Sequence, residues 1–532
     1  MKKNAHSKNK FLHYSISFFL FPAAAGTLTG AVVFFFKLLA ERLMELSNEI
    51  YAFVAEKPIF IPLLLVGVCV IALASFAFYK LSHLSSGGGI PTAIAALRGL
   101  LPFKWIRTFF CVLASSVCTY LAGMPLDTEG PAVQIGACIG RGVSRTSSKK
   151  FKGSDRYIMT GGACAGIAVA TGAPISGIFF ALEDSHRRFT PTIFISASVG
   201  VICGIFSSKL LEKLFGISFS GFITPDQVKL EIKHAWIVIL IALVAVLLNT
   251  VILFIFKSIK SKKEAFLTRM PKWTGALILI GLFVITALCG VFFRDALGTG
   301  HTLTNEIILG NRVWYLLAIA MILRSILVPS ASVGNVTGGL FVPLITFGAI
   351  TGALCAQGLI VLGVIDADMY GSLIVIGIGS FLSVAHKTPI TAILFTVEMF
   401  GGIVNAPYLI LAVTVAYILS ELLNEESIND AVMENSVEKI QKLGKKEIFD
   451  VNLTVQKEAF VIGMETRDIL WPAQCRVLNI RSAPDAPQAH GIKEGDIIHI
   501  HFLTYDFDRT AKELCSLLGD QYVPKNYSTD MK

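Results

Sequence analysis

Residues 131–140 read PAVQIGACIG and residues 343–352 read PLITFGAITG, with proline, glycine, alanine and glycine at the same positions. A second pair follows the same pattern, because PISGIFFALE at 174–183 returns as PITAILFTVE at 389–398. A period of this length is too long for a solenoid repeat. Many membrane transporters instead consist of two related halves, whose broken helices meet near the middle of the bilayer. The repeats therefore predict a two-half transporter, and they leave open whether the halves are inverted or parallel.

The composition supports insertion into a membrane. Hydrophobic residues make up 54% of the chain and charged residues only 16%, whereas soluble domains carry about 25% charged residues. Shorter apolar segments that contain Gly or Pro fit half-helices ending inside the protein. We therefore predict an all-α polytopic membrane protein rather than a soluble protein with a very apolar core. Apolar runs long enough to span a bilayer occur at Ile16–Leu39, Ile59–Tyr79, Trp236–Phe256, Trp273–Phe293 and Trp314–Val328.

The basic residues are interpreted as topology signals. Segment 1–10 is rich in lysine and no small-residue cleavage pattern follows the first apolar run, so we expect a retained cytoplasmic end. The clusters Arg141–Lys152 and Lys257–Lys272 are expected to be cytoplasmic loops. The net charge of +9 then reflects topology, and no nucleic-acid partner is expected. The cysteines form no C-x-x-C pair, so neither a metal site, a disulfide framework nor a cofactor is indicated.

The character of the sequence changes near residue 424, and a charged, amphipathic stretch continues to Lys446. We predict a transmembrane domain over 1–446 and a small cytosolic α/β domain over 447–532. Strand-like alternation and one helical pattern are expected in the second domain. These segments are Phe460–Ile462, Cys475–Arg481, Ile497–Phe502 and Arg509–Leu518.

Three segments of the membrane part carry the candidate chemistry. SGGGIP at 86–91 lets consecutive backbone N–H groups bind an anion, as helix N-termini do. DTEGP at 127–131 places carboxylates at membrane depth, where ionisable groups are usually functional. GGLFVP at 338–343 is the corresponding break in the second half. Taken singly, each segment also fits a simple loop or helix break.

In this order and spacing, the segments resemble the signatures of the CLC family of chloride channels and proton-coupled chloride antiporters. The family's G-S-G-I-P corresponds to GGGIP at 87–91, its G-[K/R]-E-G-P to DTEGP at 127–131, and its G-x-F-x-P to GLFVP at 339–343. The resemblance covers about residues 15–440. It implies inverted halves and a homodimer in the cell membrane, in which each subunit has its own anion pathway. Both chain termini are then expected in the cytoplasm.

The resemblance also implies an anion site built mostly from backbone N–H groups. Gly88 stands where the family has a serine whose hydroxyl contacts chloride, so Gly88→Ser is expected to restore a donor. Asn429 falls where a tyrosine usually supplies a second hydroxyl, and its amide is shorter but still able to donate. The residues implied as anion-binding are Gly88, Gly89, Ile90, Gly130, Leu340, Phe341 and Asn429.

Glu129 matches the family's gating glutamate, which occupies an anion site when charged and moves out when protonated. Asp184 aligns with the inner acid that delivers protons, and Glu183 completes the family's acidic pair. Asp127 and Thr128 replace a glycine and a basic residue beside Glu129. We therefore expect H⁺/Cl⁻ exchange gated by Glu129, with Asp184 and Glu183 as further proton candidates. The alternatives are a gated chloride channel and a carrier of another anion such as fluoride or nitrate.

Two further function classes fit the sequence less well. An intramembrane enzyme is not expected, because the sequence contains neither H-E-x-x-H nor G-x-S-x-G. A carrier for an organic acid is the other alternative. The tail segment GIKEGDIIHI at 491–500 resembles the ligand-binding domain of potassium-uptake regulators of the TrkA-C type. That likeness implies a small ligand such as a nucleotide, near His499, His501 and Lys493, or else a dimer-stabilising module that binds nothing.

Overall fold

The computed structural model describes residues 15–146, 153–219, 221–269, 274–441, 445–482 and 491–525. The basic segment 1–10 and parts of the clusters Arg141–Lys152 and Lys257–Lys272 lie outside the described residues. The α-helices are α1 (Phe21–Glu56), α2 (Ile61–Leu81), α3 (Ile90–Leu97), α4 (Trp105–Leu121), α5 (Glu129–Thr146), α6 (Asp155–Thr171), α7 (Pro174–Phe180), α8 (Pro191–Phe215), α9 (Ala235–Arg269), α10 (Thr274–Phe292), α11 (His301–Ile308), α12 (Trp314–Val333), α13 (Phe341–Val361), α14 (Tyr370–His386), α15 (Pro389–Phe400), α16 (Ala406–Leu422), α17 (Ile428–Gln441) and α18 (Phe507–Leu518). The strands are β1 (Glu447–Thr454), β2 (Cys475–Arg481) and β3 (Ile497–Thr504).

The order of elements in the first half returns in the second. Helices α1 to α8 correspond in sequence to α9 to α16, and the short helix α3 has the equally short α11 as its counterpart. The repeated proline frames of the sequence lie in α5 and α13, and in α7 and α15. The architecture of two related halves is therefore confirmed.

Within the described chain, nine helices are long and apolar enough to cross a membrane. Helices α3 and α7 have only 8 and 7 residues, whereas a span needs about 20. Glycine or proline residues stand at the start of both helices, as predicted for half-helices. Helix α9 continues from its apolar part through Lys257 as far as Arg269, so this part of the predicted basic loop is helical. Its Lys, Ala and Leu residues have good helix propensity, which explains the difference.

Glycines bring the repeated helices into direct backbone contact. A Cβ atom added at Gly136 of α5 would lie 2.1 Å from the carbonyl oxygen of Gly162 in α6. In the second half, a Cβ at Gly348 of α13 would lie 2.6 Å from Cα of Ile378 in α14. Small residues permit this close packing in lipid, where the hydrophobic effect does not drive helices together. The two helix pairs hold α5 and α13, which begin at the candidate site.

The C-terminal part forms an antiparallel sheet in the order β1-β3-β2. The strands expected around Cys475–Arg481 and Ile497–Phe502, and the helix near Arg509–Leu518, are confirmed. Strand β1 was not predicted. The strand expected at Phe460–Ile462 is wrong, because Ile462 N–H bonds back to Ala459 O and forms a turn. Gly463, at φ 80°, follows directly and ends any extended run.

This C-terminal part is docked on the membrane helices. The hydroxyl of Tyr157, near the start of α6, accepts a hydrogen bond from Leu470 N at 3.0 Å. The guanidinium of Arg509 donates to the carbonyl oxygens of Gly99 and Leu101, at 2.9 and 2.8 Å. These carbonyls belong to the loop that follows α3. The sheet is therefore connected directly to a half-helix of the candidate site.

Candidate functional site

The three glycine-containing breaks meet at one place. A Cβ atom at Gly89 would lie 2.2 Å from the carbonyl carbon of Gly130, and one at Gly130 would lie 2.6 Å from Cα of Gly339. Gly87, Gly88 and Gly89 have φ values of 87°, 86° and 69°, which other residues adopt only with strain. The N-termini of α3, α5 and α13 therefore converge through backbone that only glycine allows.

Asp127 joins the breaks that precede α5 and α13. One oxygen of its carboxylate accepts from Glu129 N and Gly130 N, at 3.0 and 3.2 Å. The other oxygen accepts from Val342 N at 2.7 Å. Asp127 and Gly339 also exchange two backbone hydrogen bonds of 3.0 Å each. A fully buried carboxylate is thus bound where two helix N-termini, which favour negative charge, come together.

Glu129 begins α5 beside this carboxylate. Its side chain is 7% exposed, and Oε2 has no hydrogen-bond partner among the described residues. Lys37 of α1 interacts electrostatically with Glu129, and its ammonium donates a hydrogen bond to Ala170 O at 3.0 Å. Burying a carboxyl group with an unpartnered oxygen costs free energy. Groups of this kind at membrane depth are usually functional. Glu129 is therefore less firmly held than Asp127, its neighbour.

The predicted backbone donors fall into two groups. Gly130 N–H already bonds to Asp127, and Ile90 N–H donates to Gly88 O at 2.7 Å. Helix N-termini leave such groups unpaired unless a side chain, water or ligand accepts from them. Among the predicted donors, the N–H groups of Gly88, Gly89, Leu340 and Phe341 have no acceptor among the described residues.

Asp184 and Asn429 lie together in a buried polar cluster that sequence reasoning did not fully predict. The amide Nδ2 of Asn429 donates to Asp184 Oδ2 at 2.8 Å and also lies 3.0 Å from Nδ1 of His386. The His386 ring packs on Phe341, with 5.4 Å between ring centroids. His386 was missed because a histidine at the end of an apolar helix carries no motif. The cluster links the predicted inner acid to the first residue of α13.

Glu183 is held at a different place from Asp184. Its carboxylate accepts from the N–H groups of Ile390 and Thr391, at 2.9 and 2.6 Å, and from the Thr391 hydroxyl. These residues form the first turn of α15. Glu398, the repeat counterpart of Glu183, accepts in the same way from Ile175 and Ser176 in the first turn of α7. The two glutamates therefore cap each other's half-helix reciprocally.

Two of the residues expected near a cytosolic ligand, His499 and His501, lie beside Asp450. His501 Nδ1 lies 2.8 Å from Asp450 Oδ1, and His499 Nε2 lies 3.9 Å from the same oxygen. A cavity of about 250 Å³ lies between the C-terminal part and the membrane helices. Arg98 and Trp471 line it from opposite sides. The interface of the two parts thus contains a concave surface.

Comparisons with known proteins agree with this arrangement. The voltage gated chloride channel family model matches residues 70–421. The chain is 26% identical over 449 residues to the H(+)/Cl(-) exchange transporter ClcA of Vibrio parahaemolyticus, covering 81% of this chain and 92% of the relative. Identity to the ClcA of Salmonella paratyphi B is 24% over 394 residues, covering 72% and 81% of the two chains.

Solved structures share the fold. A slow cyanobacterial Cl⁻/H⁺ antiporter superposes with a TM-score of 0.70 at 20% identity, covering 80% of this chain and 98% of that chain. A CLC-type fluoride/proton antiporter superposes with a TM-score of 0.61 at 22% identity, covering 76% and 95%. The family model spans well over half of the sequence, and the converging breaks lie where its signatures predict. The chain therefore belongs to the voltage gated chloride channel family, the CLC family.

Proposed function

We propose that the protein exchanges chloride for protons across the cell membrane, and that Glu129 is the group that couples the two. The observation that carries this proposal is the carboxyl group of Glu129, which is buried where three helix N-termini meet and whose Oε2 has no partner among the described residues. Unpaired N–H groups of Leu340 and Phe341 offer binding partners to an anion. A carboxylate and a chloride ion compete for such donors, and protonation releases the carboxylate.

Asp184 supplies protons from the other side of the cluster in this mechanism. It is 4% exposed and hydrogen-bonded to Asn429, which connects it to the elements around the anion site. Glu183 holds the start of α15 through three hydrogen bonds, so we assign it a positioning role. Gly88, Gly89 and the start of α13 form the anion site itself.

The proposed assembly is a homodimer in the cell membrane with both termini in the cytoplasm. Large apolar side chains are exposed in both halves, for example Phe206 and Ile403, each 72% exposed. Such a surface suits lipid or a second subunit. We propose residues 1–446 as the transport domain and 447–532 as a regulatory domain, with a nucleotide as its ligand class.

The test is chloride efflux from liposomes that contain the purified protein, with simultaneous recording of pH. We expect a chloride gradient to drive proton uptake. Glu129→Gln keeps or raises chloride flux and abolishes coupled proton movement, because an amide cannot carry the proton. Glu49→Gln, at an exposed position of α1, is the matched control and keeps coupling. Unchanged proton uptake in Glu129→Gln overturns the role of Glu129, and chloride flux without any proton movement in the unmodified protein indicates a channel.

Fluoride is a second candidate substrate. Gly88 offers no side-chain hydroxyl, and Asn429 uses its amide hydrogens within the cluster, so neither position fixes a preference for chloride. Repeating the flux assay with fluoride and nitrate gradients ranks these anions directly. Faster proton-coupled flux with fluoride than with chloride reverses the assignment.

A further inference from the structure

The hydrogen bonds of Asn429 determine which nitrogen of His386 carries a hydrogen. Nδ2 of Asn429 contacts both Asp184 Oδ2 and His386 Nδ1. An amide nitrogen donates but does not accept, so Nδ1 of the imidazole is the acceptor in the second contact. The opposite orientation of the amide would turn its carbonyl oxygen towards a carboxylate oxygen. A neutral imidazole that accepts at Nδ1 has its hydrogen on Nε2.

Within the part of the chain that the structure describes, this Nε2–H group is a buried donor without a partner. The His386 side chain is 4% exposed, and Nε2 has no hydrogen-bond partner among the described residues. Leaving a buried donor unpaired costs the full desolvation of that group. The ring packs on Phe341, whose own N–H is among the unpaired donors at the start of α13. Side-chain and backbone donors that all lack an acceptor therefore occur on neighbouring elements.

The two positions at which the CLC signatures place side-chain donors, Gly88 and Asn429, leave no donor free for an anion among the described residues. Gly88 has no side chain, and both amide hydrogens of Asn429 are directed to Asp184 and His386. Helix α17, which carries Asn429, packs on α3, and a Cβ at Gly87 would lie 3.8 Å from Val432 of α17. His386 is therefore located beside the site, where neither Gly88 nor Asn429 offers a free side-chain donor among the described residues.

We propose that the Nε2–H of His386 is the side-chain ligand of the transported anion, at the N-termini of α3 and α13. A halide satisfies His386, Leu340 and Phe341 together, since it accepts several hydrogen bonds at once. The Asp184–Asn429 pair acts on the anion only through His386. It fixes the imidazole tautomer whose Nε2–H donor points away from Asn429. This assignment rests on the proposed anion transport and names a ligand within that site.

The experiment measures chloride binding to the purified full-length protein by calorimetric titration, with thermal unfolding in chloride and in gluconate as a second readout. His386→Leu is expected to weaken chloride binding at least about tenfold, the usual scale for a hydrogen bond to an ion. His386→Gln retains an N–H donor and recovers part of the affinity. His301→Leu, at a half-buried histidine that packs on Phe222, is the matched control and binds like the unmodified protein.

Thermal unfolding separates ligation from a purely structural role. Chloride raises the melting temperature of the unmodified protein by mass action, and we expect His386→Leu to lose most of this increment. Equal loss of stability in chloride and gluconate, or unchanged chloride affinity, overturns the assignment of His386. Absence of chloride binding and flux in the unmodified protein overturns the proposed function instead, so the two failures are distinguishable.

Discussion

The carboxylate of Asp127 accepts a hydrogen bond from the backbone N–H of Val342 at 2.7 Å, so a side chain just before α5 holds the first turn of α13. Its other oxygen holds the first turn of α5 through Glu129 and Gly130. One residue therefore fixes the relative position of the two repeated helices. It also places a second carboxyl group beside Glu129, where the family signature has a glycine.

Asp127→Ala is expected to destabilise the protein by about 3 kcal/mol, because three buried N–H groups lose their acceptor and two helices lose a cap. The measurement is thermal or chemical unfolding of the purified protein in detergent. Asp368→Ala, at an exposed position before α14, is the control and changes stability by less than about 0.5 kcal/mol. An unchanged melting temperature in Asp127→Ala means that these helix ends find other partners.

The structure reverses the expectation for Gly88→Ser. Gly88 has a φ of 86°, and a side chain there costs about 1–2 kcal/mol. The new Cβ would also lie 3.2 Å from Cδ of Pro91. We therefore expect lower stability and no gain in chloride affinity, measured by unfolding and by calorimetric titration. Tighter chloride binding in the serine variant shows that the loop rearranges to the conformation expected from the family signature.

Arg509→Ala is expected to loosen the C-terminal domain while leaving chloride flux in place. The substitution removes two hydrogen bonds to the carbonyls of Gly99 and Leu101, which contribute about 1–3 kcal/mol to docking. Hydrogen exchange of the amides in α18 measures the loosening. Arg467→Ala is the control, because its guanidinium pairs with Glu465 at the surface. Unchanged amide hydrogen exchange in both variants would mean that contacts other than those of Arg509 hold the C-terminal domain in place.

Cys475, in β2, gives a pH-dependent prediction. Burial raises the pKa of its thiol to about 12, with Glu513 adding to the effect and Arg156 opposing it. Unfolded cysteine loses its proton near pH 8.5, so the unfolded state binds fewer protons above that pH. This contribution to stability is therefore full below about pH 8.5 and declines as the pH rises towards 12.

Alkylation by iodoacetamide, followed by mass spectrometry, tests this prediction. The thiolate is the reactive form, so modification of Cys475 in the folded protein should be slow at pH 8 and should accelerate well above pH 10. The denatured chain provides the reference rate at each pH. Equal rates in the folded and denatured protein at pH 8 contradict the raised pKa.

The sequence predicted what local patterns encode. The repeated proline-containing segments and the glycine-rich breaks predicted the two halves and the half-helices. These predictions were possible because proline and glycine determine the backbone conformation of only a few neighbouring residues. The contacts of Asp127 with Val342 and of Asn429 with His386 were not predictable, because they join residues from different halves or distant helices. Strand β1 was missed because residues 447–454 directly follow a charged stretch. Their alternation of apolar and polar residues indicates a strand only once their pairing with β3 is known.

The exchange of Glu183 and Glu398 between the starts of α15 and α7 makes the two halves chemically incomplete on their own. A fragment that ended after the first half would hold a carboxylate without its donors and a helix start without its acceptor, and the second fragment would show the same defect. Each half thus supplies what its counterpart lacks, as the protomers of a domain-swapped dimer do. Separately made fragments would therefore be complete only when they associate. The linker between the halves keeps them close, whereas the hydrogen bonds of the two glutamates hold them together.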